Sequence, residues 1–83
     1  MLVSVRFTSN LSKLIGSQEI ELNLPEAARI ADLSQRLQEL YPQHATLIAK
    51  FTFLVDEKGT SAQTKLADGL QVIALMVLSG GRY

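Results

Sequence analysis

Residues 19–42, EIELNLPEAARIADLSQRLQELYP, change within one short stretch from the period of a strand to that of a helix. Apolar and polar side chains first alternate, as in a half-buried strand. Pro25 ends the strand because it has no N–H for the ladder. Helical spacing then takes over, and the apolar stripe consists of Ile30, Leu33, Leu37 and Leu40. The stretch predicts a strand at 19–24 and a helix that begins between 26 and 30 and stops before Pro42.

Two segments precede this stretch. Residues 2–8 alternate with Val3, Val5 and Phe7 on one face, which predicts a strand. Residues 9–18, SNLSKLIGSQ, are interpreted as a polar loop that contains Leu11, Leu14 and Ile15. Because the two strands are close in sequence, we expect an antiparallel hairpin with a long turn.

The rest of the chain adds strands. A connection at 43–50 has room for one helical turn, and residues 50–56 predict a third strand. A turn at 56–59, DEKG, precedes a polar segment at 60–65 that is at most a weak edge strand. Residues 70–78, LQVIALMVL, predict the last strand, which is apolar on both faces.

This order of elements predicts an α+β fold. A small mixed sheet of four to five strands needs one face covered, and the one main helix must cover it. That arrangement is the β-grasp, or ubiquitin-like, fold. We expect residues 1–78 to form this domain and residues 79–83 to form a C-terminal tail.

Composition excludes several classes of protein. Eight basic and eight acidic side chains are scattered, so no basic stripe attracts nucleic acid, and the absence of cysteine excludes disulfides and thiolate sites. The first ten residues lack the apolar stretch of a signal peptide, and the longest apolar run is too short to span a membrane. We expect a cytoplasmic protein without contacts to membrane or nucleic acid.

No set of residues predicts intrinsic catalysis, a metal site or a bound cofactor. The one histidine, His44, is interpreted as a surface loop residue. Asp56 and Glu57 are neighbours whose side chains point apart, which suits a solvated turn better than an acid–base pair. Asp68 and Gly69 are a turn signal, and no glycine-rich loop precedes a helix to hold a nucleotide.

The outer face of the last strand is the first functional candidate. Polar residues normally alternate with apolar ones where one sheet face meets solvent, but this strand breaks the rule. An apolar patch of that kind predicts a partner-binding surface, and its predicted members are Leu54, Ile73, Leu75 and Val77.

The sequence GGRY at 80–83 is the second candidate. Gly80 and Gly81 have no Cβ, so this segment is thin and can enter a narrow channel in another protein. Because it follows the last strand of a β-grasp pattern, we interpret it as a functional tail rather than a frayed terminus.

These features together resemble the ThiS/MoaD family of ubiquitin-like sulfur-carrier proteins. The resemblance covers almost the whole chain, through VSVRFTSNLSKLIG, EIELNLP, RIADLSQRLQELYP, LADGLQV and the closing strand that leads to Gly-Gly. Its individual motifs are loose, and the spacing between them makes the match specific.

The resemblance implies a carrier that is not itself an enzyme. Gly81 would be the residue whose carboxylate an ATP-dependent adenylating enzyme activates. A persulfide sulfur donor would then convert it to a thiocarboxylate, which passes sulfur to an accepting enzyme. ATP and the sulfur donor would be used by the partners, and Gly80 would provide clearance.

Members of this family usually end at the second glycine, whereas Arg82 and Tyr83 follow Gly81 here. Some relatives carry a similar extension that a JAMM-type zinc metallopeptidase removes. We therefore expect a precursor, with an expression scar or a module that has lost activation as alternatives. Two rival functions also stay open: a protein modifier conjugated through Gly81, and the small subunit of molybdopterin synthase.

Overall fold

The computed structural model describes residues 1–76, and the predicted tail and the end of the last predicted strand lie outside them. Within this range the regular elements are, in chain order, β1 (Leu2–Phe7), α1 (Ser9–Ile15), β2 (Glu19–Asn23), α2 (Ile30–Leu40), α3 (Ala45–Ile48), β3 (Thr52–Val55), β4 (Lys58–Gly59) and β5 (Gln71–Leu75), with a 3₁₀ turn at Pro42–His44 before α3.

The five strands form one mixed sheet in the order β2-β1-β5-β3-β4. The predicted hairpin is confirmed, since β1 and β2 pair antiparallel with Val5 opposite Ile20. β5 is parallel to β1 and antiparallel to β3, with Ala74 opposite both Phe7 and Phe53. β5 is therefore held on both sides in the middle of the sheet.

The core lies between one face of the sheet and α2. Alternate residues of the central strands point into it, and Val3, Val5, Val72 and Ala74 are completely buried. Leu33 and Leu37 of α2 meet them and are also completely buried, so the predicted stripe covers the sheet over most of its length. The prediction is wrong for Leu40, which is 43% exposed because it lies on the last residue of the helix.

A side chain in the first turn of α2 caps the start of the helix. No Ser, Thr, Asp or Asn precedes Ile30, but the Asp32 carboxylate accepts a hydrogen bond from the Arg29 N–H at 2.8 Å. A carboxylate in the first turn also interacts favourably with the positive end of the helix dipole. This contact explains why the helix begins at Ile30 within the loosely predicted interval 26–30.

Residues 9–18 are not the predicted polar loop. Ser9–Ile15 form α1, a short helix whose Leu11 is buried in the core. Gly16 ends the helix with a φ of 92° in the left-handed region, where glycine carries no steric penalty. The apolar residues Leu11, Leu14 and Ile15 are spaced i, i+3 and i+4, so the periodic signal was present over less than two helical turns.

The edge strand also lies earlier than predicted. Lys58–Gly59 pair with Val55 and Leu54 as β4, whereas residues 60–65 contribute only an isolated bridge between Lys65 and Arg29. The turn between β3 and β4 consists of Asp56 and Glu57, with φ values of 52° and 65°. Two positive φ values match the mirror-image turns that join antiparallel strands through two residues.

Candidate functional site

β5 connects the two predicted functional features, because it holds Ile73 and Leu75 of the patch, pairs with Leu54 of β3, and precedes the predicted tail in the sequence. The described chain ends at Met76, one residue after the strand. The predicted site residues beyond that point are Val77, Gly80, Gly81, Arg82 and Tyr83, and they lie outside the described residues. The described part of the site is thus the outer sheet face and the surroundings of Met76.

The structure brings three of the four predicted patch residues onto one sheet face. Ile73 lies opposite Leu54 in the antiparallel pairing of β5 with β3, and Leu75 lies opposite Thr52. Directly opposed residues on one face have Cβ atoms about 5 Å apart. Each of the three leucine and isoleucine side chains is partly buried by its neighbours rather than fully exposed. The prediction that this patch binds a partner stays a prediction.

Polar side chains border the patch on the side of β1 and β2. Arg6 lies next to Ile73 in the parallel pairing and opposite Glu19 in the antiparallel one. The Gln71 amide donates to a Glu19 carboxylate oxygen at 3.3 Å. An apolar centre with a polar border is the usual composition of a protein–protein interface.

The titratable residues considered in the sequence do not form a catalytic set. His44 ends the 3₁₀ turn, and Asp56 and Glu57 occupy the exposed turn before β4. Asp68 is structural, because its carboxylate accepts the Leu2 N–H at 2.6 Å. Within residues 1–76, no three His, Asp or Glu side chains come together as they would around a metal ion.

Sequence reasoning missed an apolar groove beside the end of β5. The groove has a volume of about 280 Å³ and is lined by Thr8, Asn10, Leu11, Leu14, Leu47 and Met76. It exists because α1 is a helix that presents Leu14 toward α3 and the end of β5. Leu14 is 39% exposed and is one of three large apolar side chains in residues 1–76 left so open. The helical spacing of Leu11, Leu14 and Ile15 was the available signal.

Comparison with known proteins identifies the fold. Neither a protein-family model nor a curated protein sequence matches the chain. Among solved structures, small archaeal modifier protein 1 from Haloferax volcanii superposes with a TM-score of 0.82 at 15% sequence identity, covering 98% of this chain and 100% of that one. The fold is the β-grasp fold of ubiquitin-like proteins.

Two further β-grasp structures are similar. A putative molybdopterin converting factor subunit 1 from Pyrococcus furiosus has a TM-score of 0.79 at 24% identity, covering 89% of this chain and 94% of its own. The small archaeal modifier protein 1 of Methanosarcina acetivorans has a TM-score of 0.78 at 20% identity, with 96% of both chains covered. The predicted fold class is therefore confirmed, down to a mixed sheet with one main helix on one face.

The helices within residues 1–76 were compared with the requirements of a membrane-spanning segment. Among residues 1–76, none has the length and apolar character that a membrane-spanning segment needs.

Proposed function

We propose that this chain is a ubiquitin-like carrier of the ThiS/MoaD type that acts through Gly81. The observation that carries the proposal is the position of β5. This strand is paired on both sides in the sheet and holds Ile73 and Leu75 of the outer patch, and Gly81 follows Met76 by five residues in the sequence. A partner that binds the patch would therefore hold the root of the tail in a defined place while the thin glycines reach its active site.

The first step in this proposal is removal of Arg82 and Tyr83. Gly81 is joined to Arg82 by a peptide bond, so it has no free carboxylate until that bond is hydrolysed. A JAMM-type metallopeptidase would add water across the bond and leave the Gly81 carboxylate. Two bulky side chains after Gly81 also block a channel that fits glycine alone, so activation would depend on cleavage.

The second step converts a poor electrophile into a reactive one. An adenylating enzyme would join the Gly81 carboxylate to the AMP part of ATP and release pyrophosphate. The terminal sulfur of an enzyme persulfide would then displace AMP and form an acyl disulfide, which a thiol reduces to the Gly81 thiocarboxylate. The product carries its sulfur on a tether to an accepting enzyme. Cysteine is absent from the chain, so no thiol of its own competes for the acyl group.

A protein modifier is the second candidate function. It is favoured by one observation, namely that small archaeal modifier proteins are among the structural neighbours. The modifier would share the adenylation step and end in an isopeptide bond between Gly81 and a lysine. The small subunit of molybdopterin synthase is less well supported, because such a subunit normally ends at Gly-Gly, whereas Arg82 follows Gly81 here.

Intact-mass analysis tests the proposal. A variant that stops at Gly81 and the 83-residue chain would each be incubated with the adenylating enzyme of the source organism, ATP and a sulfide donor. The shorter chain should gain the mass of one oxygen-to-sulfur exchange, and the 83-residue chain should gain none without a peptidase. Reaction of both chains, or of neither, would contradict the proposal. Higher-mass conjugates on a denaturing gel would indicate the modifier instead.

A further inference from the structure

β2 lies at one end of the sheet and has a free edge within residues 1–76. The strand order β2-β1-β5-β3-β4 gives β2 a neighbour on one side only, and Glu19–Asn23 pair with β1 over the length of the strand. The strand at the other end of the sheet, β4, has two residues. Very short edge strands offer little backbone to a further strand, so β2 is the edge that is long enough for another chain to pair with.

The hydrogen bonds at the two ends of the β1–β2 ladder show which residues of β2 face β1. Met1 and Leu24 each donate a hydrogen bond to the carbonyl of the other, at 2.7 and 2.8 Å. At the opposite end the Phe7 N–H donates to the Gln18 carbonyl at 2.9 Å. Hydrogen-bonded and non-hydrogen-bonded pairs alternate along an antiparallel ladder. The even-numbered residues of β2 therefore bond to β1, and the odd-numbered ones direct their backbone groups away from the sheet.

The odd-numbered residues of β2 are Glu19, Glu21 and Asn23. In the part of the chain that the structure describes, their N–H and C=O groups take part in none of the backbone hydrogen bonds of turns, loops and caps. The next position with this orientation is Pro25, which carries no N–H and so ends the row of donors. Unpaired main-chain groups along a sheet edge are the groups through which an added strand binds.

The outer face of β2 is acidic. Glu19 and Glu21 are both exposed on this face. Glu19 has polar neighbours, since Arg6 lies opposite it on β1 and the Gln71 amide donates to its carboxylate at 3.3 Å. Glu21 lies opposite Ser4, and the ion pairs among residues 1–76 do not include it. A positive charge opposite Glu21 on an added strand would supply the attraction that Ser4 does not.

The core face of β2 is apolar. Leu22 is buried, whereas Ile20 packs on the core but is only partly buried. Side chains of an added strand alternate between the two faces in step with those of β2. An apolar side chain opposite Ile20 would cover the rest of its surface, and transfer of that surface out of water is favourable. The complementary strand therefore alternates basic and apolar residues.

The glutamates argue against two other occupants of this edge. A second copy of the chain, paired antiparallel about the middle of β2, would place Glu21 opposite the same residue of the other copy. Like charges directly opposite each other are destabilising. Nucleic acid presents a row of phosphates, which the two exposed carboxylates repel.

We propose that the free edge of β2 binds an extended segment of a partner protein in which basic residues alternate with apolar ones. The backbone of the segment pairs with Glu19, Glu21 and Asn23, its basic side chains lie beside the two glutamates, and an apolar side chain covers Ile20. β1 separates this edge from β5 and the outer patch. The inference does not involve Gly81 and goes beyond the proposed carrier function.

Hydrogen exchange followed by nuclear magnetic resonance tests the backbone pairing in the 83-residue chain. The probes are a short synthetic peptide in which lysine and valine alternate and a matched peptide in which glutamate replaces lysine. Without peptide, the amides of Ile20 and Leu22 should exchange slowly and those of Glu19, Glu21 and Asn23 rapidly. The lysine peptide at millimolar concentration should slow the second set several-fold, as binding to the folded state requires. The glutamate peptide should leave the exchange of both sets unchanged.

A charge reversal tests which partner the edge prefers. Glu21→Lys should weaken binding of the lysine peptide by roughly three-fold or more and strengthen binding of the glutamate peptide. Glu57→Lys is the matched control, because Glu57 is an exposed glutamate in the turn before β4, at the other end of the sheet. It should leave the preference for the lysine peptide unchanged.

Three results would overturn the proposal. The first is unchanged exchange of the Glu19, Glu21 and Asn23 amides at millimolar lysine peptide, which is measured on the unchanged chain and so does not depend on how any variant folds. The second is an equal effect of both peptides or of both substitutions. The third is protection of the same amides that grows with the concentration of the chain alone, since this would identify a second copy as the occupant.

Discussion

The same substitution at two adjacent residues of β5 should have opposite consequences for folding. Val72 faces the core and is completely buried, whereas Ile73 lies on the outer face between Arg6 and Leu54. We predict that Val72→Glu prevents stable folding and that Ile73→Glu does not. The comparison tests the alternation of the strand and the assignment of the outer patch together.

The difference follows from what surrounds each side chain. A carboxyl group at position 72 would be buried in the core without a partner, which costs several kcal/mol, out of a total stability of roughly 5–15 kcal/mol. At position 73 the substitution removes a cross-strand pair with Leu54, worth about 0.2–1 kcal/mol. The adjacent Arg6 would recover part of this loss, since exposed ion pairs contribute about 0.2–1 kcal/mol. We expect Ile73→Glu to cost about 1 kcal/mol or less.

Thermal unfolding followed by circular dichroism measures the effect of each substitution on stability. A loss of 1 kcal/mol lowers the melting temperature of a domain of this size by about 4–8 °C, so Ile73→Glu should stay within that range and Val72→Glu should show no cooperative transition. Equal destabilisation by both substitutions would refute the face assignment.

Binding to the adenylating enzyme tests whether the outer patch is a docking surface. Ile73→Glu should weaken binding by about 30-fold if it removes a hot-spot contact of about 2 kcal/mol. Asn23→Glu is the control, because it adds the same charge to the outer face of the edge strand β2, which β1 separates from β5. If the two variants bind equally well, the patch is not the docking surface.

Three further predictions concern stability in chemical unfolding. Glu57→Gly should stabilise the domain by about 0.5–1 kcal/mol because Glu57 has a φ of 65°. The control, Glu21→Gly within β2, should destabilise the domain. Destabilisation by both substitutions would contradict the turn geometry. Asp68→Ala should cost about 1–2 kcal/mol by removing the acceptor of the Leu2 N–H, and a change near zero would show that water replaces it. Leu33→Ala should cost about 2–5 kcal/mol at a site with no exposed surface, and a smaller loss would mean that the core closes around the cavity.

The central sheet and main helix were predictable because each has a long, unambiguous period. β1 and β2 alternate over five or six residues, and α2 repeats its apolar residues over three turns. The period alone shows which side chains of these elements face the core, so the sequence was sufficient to predict the three elements. The exposed end of the stripe at Leu40 depends instead on how far the helix extends beyond the sheet, which is a property of the whole fold.

The elements that were missed or misplaced are short and depend on tertiary contacts. α1 has seven residues, too few for an isolated helix to be stable, and it forms because Leu11 is buried against the sheet. β4 has two residues, and its position is set by the turn at Asp56 and Glu57, neither of which is a glycine. The groove beside Met76 could not be predicted once α1 had been taken for a loop.

The two faces of β5 border different surfaces of the domain. Its outer face carries Ile73 and Leu75, while Met76 at its end borders the groove on the helical side. A partner on the outer patch would therefore leave the groove uncovered. In the proposed carrier, docking of the precursor to its activating enzyme would not depend on cleavage of the tail, and the block to activation would lie in the uncleaved Gly81–Arg82 bond rather than in the docking step.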